Sequence, residues 1–528
     1  MLGLIKKTIY LIFTFFIALF IASSFFVRAQ YNYFVYGDTP ILQNQKLGIF
    51  ILLIILLILL SIVLYKLCLK FNKYSKKVVI SVTLIFSLII QIVIIFLFTR
   101  LPTDDSQTVV SLALNMLYNK DYSSFQSGGY LYMFPFNFST VLYLKTLLAI
   151  FPDNYLVIKI FNILFTLVTT LMIYFIYKEI NYKSKENDYG VLIFAATYVP
   201  SLFMCNYIYN DVIATTLFTT AIYFLIRFIK EKSIKYIFVS SILLAIGNYF
   251  RSVGVIIFIA AVIYILLSIK KIGIKKGITS LCIMALLFNV PGFTQNVVLQ
   301  ATHTVSKSVN KNSAPIYMWL NMGINKERFG FWDNMQSYNI YERQGNYNKE
   351  KSTELFKKEI KNKLSNLTFL DLTKMYYKKI VWTWTEGTYQ IERYGIGVQS
   401  ASSPGERGKG MVMGGYSYTT FATDLFKGNS QYRSGLTWIL YVMNFLMYCS
   451  ILVRLIGGIK AKRFDEVFLI LVILGFIGFY VLWEIKSRYI YPVYPLLIVL
   501  SYMGFKDAYD FMSKRKLSEC LPLLGRRS

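Results

Sequence analysis

The chain contains about twelve apolar stretches of membrane-spanning length, and these constrain its fold more than any other feature. A hydrocarbon core about 30 Å thick requires roughly 20 apolar residues in a helix. The predicted spans are residues 8–27, 47–68, 78–99, 154–177, 189–208, 212–229, 235–249, 253–269, 278–295, 436–457, 466–484 and 489–505. With 56% hydrophobic and 16% charged residues, they predict an all-α polytopic membrane protein. Such a composition excludes a soluble enzyme, a disordered chain and a disulfide-linked scaffold.

The first apolar stretch follows Lys6 and Lys7 and resembles a signal peptide at first sight. Its length exceeds that of a usual signal-peptide core, and Val27-Arg28-Ala29 is a poor cleavage site. We therefore expect an uncleaved anchor. Residues 1–77 then form an N-terminal transmembrane hairpin.

The basic residues predict which side of the membrane each loop faces. The formal net charge of +29 would suit a nucleic-acid-binding protein, but the apolar content does not. Cytoplasmic loops collect Lys and Arg. The richest short loops are residues 66–77, 178–185, 227–235, 270–276 and 454–463. These loops and both termini share one side only if the apolar stretch 128–151 does not cross, so we predict a non-spanning juxtamembrane segment there and cytoplasmic termini.

The predicted topology divides the chain into four regions and places the function outside the cell. Residues 78–295 form a transmembrane module that includes the first outer loop, 100–153. Residues 296–435 form a mainly helical extracellular domain, in which the glycine- and serine-rich stretch 395–415 is a mobile loop over the site. Residues 436–528 supply the C-terminal transmembrane helices and a basic cytoplasmic tail. The protein is thus expected in the cell membrane, with its active site extracellular.

Cysteine and histidine usage narrows the chemistry. The outer segments contain no cysteine, so no disulfide framework is expected on the oxidising side. His303 is the sole histidine of the chain, which disfavours a histidine-based triad and a zinc site. The sequence contains no phosphate-binding glycine loop of the Walker type. The lack of cysteine in the outer segments fits a bacterial surface enzyme better than an enzyme of the endoplasmic reticulum.

Two adjacent carboxylates follow the third predicted span, in Arg100-Leu-Pro-Thr-Asp104-Asp105. Carboxylates at a membrane boundary can hold a divalent cation, or one of them can act as a general base. The alternative interpretation is a helix N-terminus, in which Thr103 or Asp104 caps the amphipathic run that starts near Val109. Both interpretations can hold together, because a cap fixes the direction of the second carboxylate.

Further polar residues lie at the outer ends of other predicted spans. Asp211 begins the sixth span, where it is either a helix cap or a third carboxylate beside Asp104 and Asp105. Arg251 lies in the outer turn between spans seven and eight, and Arg488 lies in the outer turn before the last span. Arginine binds phosphate bidentately, although snorkelling would also place it at an interface. Because positive charge outside opposes the topology rule, we favour a binding role.

In this order and on this side of the membrane, these motifs resemble the GT-C superfamily of membrane glycosyltransferases, close to its protein-mannosyltransferase and aminoarabinose-transferase branch. The resemblance extends over roughly residues 78–505. The motifs that carry it are Asp104-Asp105, Tyr130-Leu-Tyr-Met-Phe-Pro135, Tyr209-Asn-Asp211, Asn248-Tyr-Phe-Arg251 and Arg488-Tyr-Ile-Tyr-Pro492. The superfamily also implies juxtamembrane helices in the first outer loop, in agreement with the non-spanning segment 128–151.

The resemblance implies roles for individual residues. Asp104 or Asp105 aligns with the catalytic base, Asp104 by preference, and Asp211 corresponds to a second outer carboxylate. Arg251 and Arg488 match the positions that hold the phosphate of a polyprenyl-phosphate sugar. The residues implied in the substrate pocket are Tyr130, Tyr132, Tyr209, Asn210 and Tyr491.

The sequence also departs from the superfamily. Related enzymes carry Glu-Lys-Pro-Pro where this chain has Tyr132-Met133-Phe134-Pro135, so the donor-phosphate lysine is missing unless Lys145 replaces it. The zinc-binding histidines of one branch have no counterpart. A divalent cation, Mg²⁺ or Mn²⁺, remains an open alternative for the three carboxylates, as in the oligosaccharyltransferase branch.

The expected reaction is an inverting transfer of a sugar from a polyprenyl-phosphate donor to an acceptor outside the membrane. The basic outer segment suits a polyanionic acceptor such as a teichoic acid or another cell-wall polysaccharide. The alternatives are protein O-glycosylation by the same chemistry, a transporter of lipid-linked sugars or polysaccharides, and a non-catalytic assembly factor. Membrane lipid is an expected partner, and nucleic acid is not.

Overall fold

The fold is almost entirely helical, as predicted. The computed structural model describes residues 2–34, 37–181, 187–396, 413–428 and 430–524. The helices of the first half are α1 Leu2–Ser24, α2 Leu47–Phe71, α3 Lys76–Leu97, α4 Asp105–Leu114, α5 Tyr130–Met133, α6 Phe138–Ile150, α7 Tyr155–Ile180, α8 Gly190–Ala196, α9 Val199–Met204, α10 Asp211–Glu231, α11 Ile234–Phe250 and α12 Gly254–Leu267. Those of the second half are α13 Ile269–Ile272, α14 Ile274–Phe288, α15 Val290–Ala301, α16 Ile316–Gly323, α17 Asn334–Tyr338, α18 Lys349–Asn366, α19 Phe369–Thr385, α20 Ile391–Tyr394, α21 Phe421–Leu425, α22 Gln431–Lys460, α23 Val467–Leu482 and α24 Tyr494–Leu524.

Short turns of other helix types join these elements. The 3₁₀ turns are Ser123–Phe125, Pro135–Asn137 and Ser487–Val493, and the π-helical turns are Asn115–Asn119 and Asn339–Gln344.

The multi-pass architecture is confirmed, whereas the count of twelve spans stays a prediction. Within the described ranges, seven helices are long and apolar enough to cross a membrane: α1, α2, α3, α7, α10, α22 and the continuous pair α14–α15. Three shorter apolar helices, α11, α12 and α23, accompany them. The predicted span 189–208 is instead divided near Thr197 into α8 and α9, with Pro200 in the first turn of α9. A proline is tolerated there because the first N–H groups of a helix have no partner inside the helix.

The predicted juxtamembrane segment is sharply bent. Ser123–Met133 and Pro135–Ile150 meet at an angle of 101°, so residues 128–151 do not form one straight helix. Pro135 lies at the bend, and Phe134 before it has φ −126° and ψ 61°, outside the helical region. A proline disfavours the helical conformation of the preceding residue, which explains the position of the bend.

The N-terminal hairpin is built differently from the prediction. Between α1 and α2 the chain forms two antiparallel strands, β1 Val27–Phe34 and β2 Gly37–Asn44, that were not expected in an all-α protein. Helix α1 is part of the core: Phe20 stacks on Trp384 at 5.9 Å, and the Tyr10 hydroxyl donates to Glu466 Oε2 at 2.5 Å. Helix α2 is mostly exposed and apolar, as expected of a helix that faces lipid.

Helix α10 extends from one end of the helix bundle to the other. Its 21 residues span roughly 31 Å. Asp211 begins it, and at its other end Lys230 Nζ lies 2.8 Å from Glu179 Oε2. Ion pairs on neighbouring helices, Lys506–Asp188 at 2.8 Å and Arg454–Asp507 at 2.9 Å, also involve the predicted cytoplasmic ends. The basic loops and the outer carboxylates therefore lie at opposite ends of the bundle.

Candidate functional site

One large cavity collects the charged residues that the sequence singled out. Its volume is about 2710 Å³, and its lining includes Asp104, Asp105, Asp211, Arg251 and Arg488. These residues come from separate parts of the chain, before α4, at the start of α10, after α11 and before α24. The structure therefore brings together the carboxylates and arginines on which the sequence-based hypothesis depends.

Asp104 does not cap the helix that follows it. Asp104 precedes α4 with a positive φ of 56°, and its side chain makes no capping hydrogen bond. The Ser106 hydroxyl instead bonds Thr103 N at 2.9 Å and Thr103 O at 2.8 Å. With φ 56° and ψ −133°, the backbone of Asp104 lies in a region that residues other than glycine rarely adopt. The carboxylate of Asp104 is thus directed into the cavity rather than onto the helix end.

Asp211 is the most buried carboxylate of the cavity, with no exposed side-chain surface. It forms an ion pair with Arg251, and its Oδ2 lies 3.7 Å from Arg488 Nη1. The Asn210 side chain donates to Phe250 O at 2.9 Å and so joins the start of α10 to the end of α11, next to Arg251. A buried carboxylate requires such paired cations, because an unpaired buried charge is strongly destabilising.

Arg488 is enclosed by aromatic rings. Its side chain is 4% exposed, and its Nη2 lies 3.9 Å from Asp105 Oδ2. The rings around its guanidinium, 5.0 to 5.7 Å away, are those of Tyr207, Tyr209, Tyr394 and Tyr489. Among the described residues, Nε and Nη1 of Arg488 have no hydrogen-bond partner. A buried guanidinium with unmet donors in a cavity is suited to bind an anion.

A hydrogen-bonded chain orients Asp105. The Tyr130 hydroxyl donates to Asp105 Oδ1 at 3.2 Å, and Asn137 Nδ2 donates to the Tyr130 oxygen at 2.7 Å. The Tyr209 hydroxyl donates to Asn137 Oδ1 at 2.9 Å. The predicted pocket residues Tyr130 and Tyr209 thus belong to the site. Asn137 was not expected, because its position in the bend is visible only in the tertiary structure.

Three predicted site residues lie outside the cavity. Lys145 Nζ donates to the Tyr122 hydroxyl at 2.8 Å and does not line the cavity. It therefore does not occupy the position expected of a lysine that holds the donor phosphate. Tyr132 is likewise absent from the lining. Tyr491 is buried in the core, its ring 5.7 Å from that of Tyr389 and 4.7 Å from that of Tyr494.

Arg393 joins the site without any signal in the sequence. Its Nε donates to Asp104 Oδ2 at 2.9 Å, and its Nη2 donates to Oδ1 at 3.0 Å. The preceding turn contains three residues with positive φ, Gly387 at 78°, Tyr389 at 52° and Gln390 at 61°. This turn brings α20 of the outer segment against the first outer loop. Most of the predicted mobile loop 395–415 lies outside the described residues, which stop at 396 and resume at 413.

Glu484 and Lys486 also line the cavity. Glu484 is 1% exposed and accepts a hydrogen bond from the Tyr489 hydroxyl at 3.1 Å. Burial raises the pKa of the Glu484 carboxyl to about 7. Glu386, which is buried after α19, likewise has a pKa raised to about 7 by burial. Burial therefore favours the protonated form of both carboxyl groups.

The described part of the chain assembles no metal site from three or more Asp, Glu, His or Cys side chains. Each of the three carboxylates proposed as ligands faces a guanidinium: Asp104 faces Arg393, Asp211 faces Arg251, and Asp105 Oδ2 lies 3.9 Å from Arg488 Nη2. Because these cations already neutralise the carboxylates, the donor set does not fit Mg²⁺ or Mn²⁺.

The fold and the cavity together define a multi-pass membrane protein with an acidic and arginine-rich site at one end of its helices. Residues 138–292 match the family model of dolichyl-phosphate-mannose-protein mannosyltransferases, a family of the GT-C superfamily. The match covers under a third of the chain and includes Asp211 and Arg251. No curated protein and no solved structure matches the chain significantly. This match confirms the resemblance found in the motifs and indicates a membrane glycosyltransferase.

Proposed function

We propose that this glycosyltransferase moves a sugar from a polyprenyl phosphate to an acceptor hydroxyl, with inversion at the anomeric carbon. The observation that carries the proposal is the juxtaposition of Asp104, directed into the cavity, with Arg251 and the buried Arg488. A lipid-phosphate sugar needs a cationic phosphate site beside a base, and it needs no nucleotide-binding fold. The matched family implies such a donor.

The phosphate is held by Arg488 and Arg251. Arg488 offers Nε and Nη1, which have no hydrogen-bond partner in the described residues, and Arg251 lies on the other side of Asp211. Asp211 fixes both guanidinium groups and keeps their charge from being isolated in the protein interior. As the bond between the anomeric carbon and the phosphate oxygen breaks, the two arginines stabilise the charge that develops on the leaving phosphate.

Asp104 is the better placed base of the two adjacent aspartates. In an inverting displacement the base and the leaving phosphate lie on opposite faces of the sugar. Asp105 faces Arg488 and the phosphate side, whereas Asp104 is turned away from it toward Arg393. Asp104 takes the proton of the acceptor hydroxyl, whose oxygen then attacks the anomeric carbon. Arg393 must release one oxygen of Asp104 for this transfer.

We further propose that the acceptor is an extracellular teichoic acid or another cell-wall polysaccharide. Two arguments support an extracellular acceptor. The basic loops lie at the far end of the bundle from the cavity, and such loops are normally cytoplasmic. A protein acceptor is the second candidate, because the matched family is described as acting on protein.

The test compares Asp104→Asn, Asp105→Asn and the control Asp121→Asn in purified, lipid-reconstituted protein. Asp121 lines the same cavity, and its carboxylate bonds Ser123 N, so the control makes the same charge change away from the proposed chemistry. We expect Asp104→Asn to reduce kcat by about 100-fold or more, because a general base contributes roughly 10²–10⁴. Asp121→Asn should stay near the wild-type rate. Full activity of Asp104→Asn would remove the base assignment.

The acceptor is tested with the same preparations. Labelled donor is offered with purified wall polymer or with a serine- and threonine-rich peptide. Transfer to the polymer supports the first candidate, and transfer to the peptide alone replaces it with protein glycosylation.

A further inference from the structure

An aromatic surface forms one side of the cavity and has no role in the chemistry described above. Three of the six tryptophans of the chain line this cavity. We call the surface the aromatic wall, and its members are Phe134, Phe136, Trp319, Trp332, Tyr338 and Trp483.

The members of the aromatic wall contact one another in one continuous series. Trp319 stacks on Trp483 with ring centres 5.6 Å apart and ring planes within 9°. Phe134 and Phe136 lie 6.2 and 6.1 Å from the Trp319 ring. Tyr338 lies 6.4 Å from Phe134 and 5.6 Å from Trp332, which closes the series.

The wall extends from the carboxylates to the arginines. Phe134 contacts the ring of Tyr130 at 5.4 Å, and Tyr130 donates to Asp105. At the other end, Lys486 Nζ lies 5.7 Å from the Trp332 ring and 5.8 Å from the Tyr489 ring, which in turn contacts Arg251. A molecule lying on the wall would therefore reach the reacting centre.

The surroundings of the wall favour a sugar over the prenyl chain of the donor. Trp332 Nε1 donates to Asn334 Oδ1 at 2.6 Å, and Asp333, Asn334 and Asn339 line the cavity beside the rings. A sugar ring has apolar C–H faces that suit the electron-rich face of an aromatic ring, and its hydroxyls require such polar neighbours. A prenyl chain has no hydrogen-bonding group that could pair with these amide and carboxylate groups.

The prenyl chain has a different surface available. Val253, Val255 and Phe479 line the cavity where helices of the transmembrane bundle reach it. Trp319, Trp332 and Tyr338 instead belong to the outer segment between α15 and α22. The cavity volume of about 2710 Å³ also exceeds the roughly 300–1,000 Å³ of an ordinary ligand pocket, which leaves room for an acceptor beside the donor sugar.

We propose that the aromatic wall binds a sugar unit of the acceptor and presents its hydroxyl toward Asp104. The inference rests on the proposed function and narrows it: the acceptor is a polymer that contains sugar rings, rather than a bare polyol-phosphate chain or an unmodified peptide. Trp319 and Trp332 bind the sugar faces, and the polar residues around Asn334 bind its hydroxyls.

The test uses Trp319→Leu and Trp332→Leu, with Trp319→Phe as the conservative variant. The control is Trp438→Phe, since Trp438 packs on Arg28 and does not line the cavity. The probes are soluble oligosaccharides released from the wall polymer of the native cell, and sugar-free poly(glycerol phosphate). Donor hydrolysis by water is measured in parallel, since it needs the donor site alone.

We expect both leucine variants to raise the KM for the oligosaccharides by about tenfold or more, with donor KM and donor hydrolysis within about twofold of wild type. Trp319→Phe should restore part of the affinity, and the control should behave as wild type. A raised donor KM would assign the wall to the prenyl chain, and preferred transfer to poly(glycerol phosphate) would also overturn the proposal.

A binding titration separates failure of this inference from failure of the proposed function. Quenching of tryptophan fluorescence by the oligosaccharides requires no turnover. If wild-type protein hydrolyses no polyprenyl-phosphate sugar, the proposed function fails, yet quenching that is lost in the leucine variants still supports a saccharide site. Equal quenching in wild type and variants, or none in either, overturns the site itself.

Discussion

Replacing Arg488 by Gln tests the phosphate site most directly. Arg488 is 4% exposed and lies within a ring of tyrosines, so no solvent molecule or flexible neighbour easily takes over its role. Glutamine keeps part of the volume and some hydrogen-bonding capacity but removes the charge. Arg488→Lys keeps the charge and loses the fork of donors, so the pair of variants separates charge from geometry.

The magnitude follows from the unmet donors. A hydrogen bond to a charged group contributes about 1.5–3 kcal/mol, and Arg488 has two donor nitrogens with no hydrogen-bond partner in the described residues. Its distances to the nearest carboxylate oxygens, 3.7 and 3.9 Å, are too long for strong bonds, so those contacts compete little. A loss of about 3 kcal/mol corresponds to a decrease of about 100-fold in kcat/KM.

The fold should tolerate this change, because Asp211 keeps its ion pair with Arg251. The assay measures release of labelled sugar from a polyprenyl-phosphate donor by lipid-reconstituted protein, with the melting temperature in detergent as the folding control. We expect Arg488→Lys to fall between wild type and Arg488→Gln. A glutamine variant that is folded and within about threefold of wild type in kcat/KM would refute the phosphate assignment.

Four further predictions concern the same cavity. Asp211→Asn should destabilise the protein by about 3–5 kcal/mol, seen as a lower melting temperature, because it leaves buried arginines unpaired. Since Glu484 and Glu386 hold protons more tightly when folded, with pKa values of about 7 against an ordinary 4.5, stability should fall as pH rises from about 4.5 to 7, and Glu484→Gln should remove part of that dependence. Arg393→Ala should change the melting temperature little, because its partner Asp104 is 46% exposed and such pairs contribute about 1 kcal/mol or less. EDTA should leave the rate of transfer unchanged, because arginines neutralise the carboxylates; a loss restored by Mg²⁺ or Mn²⁺ would contradict this.

Local signals explain why much of the fold could be predicted. An apolar run long enough to cross a bilayer forms a helix, because its backbone N–H and C=O groups have no water to bond and must bond within the segment. The charge of the short loops predicts that 128–151 does not span the membrane, and the helices there meet at 101°, as in a broken span or a re-entrant loop. The strands at 27–44 escaped prediction because they lie between two apolar runs, and the interruption near Thr197 escaped it because hydropathy does not register a break in the backbone.

The sequence by itself determined the membrane class, the motifs and the set of charged residues at the outer helix ends. Asp104, Asp105, Asp211, Arg251 and Arg488 were found this way, because charged residues at the outer ends of apolar spans stand out from the apolar sequence around them.

Only the tertiary structure decided which of these residues meet. It paired Asp104 with Arg393, which is 289 residues away. It also placed Lys145 against Tyr122, outside the lining of the cavity. It also assembled the aromatic wall from the first outer loop, the outer segment and the turn after α23. Such contacts depend on bends, positive-φ turns and long-range packing, which no local pattern of residues records.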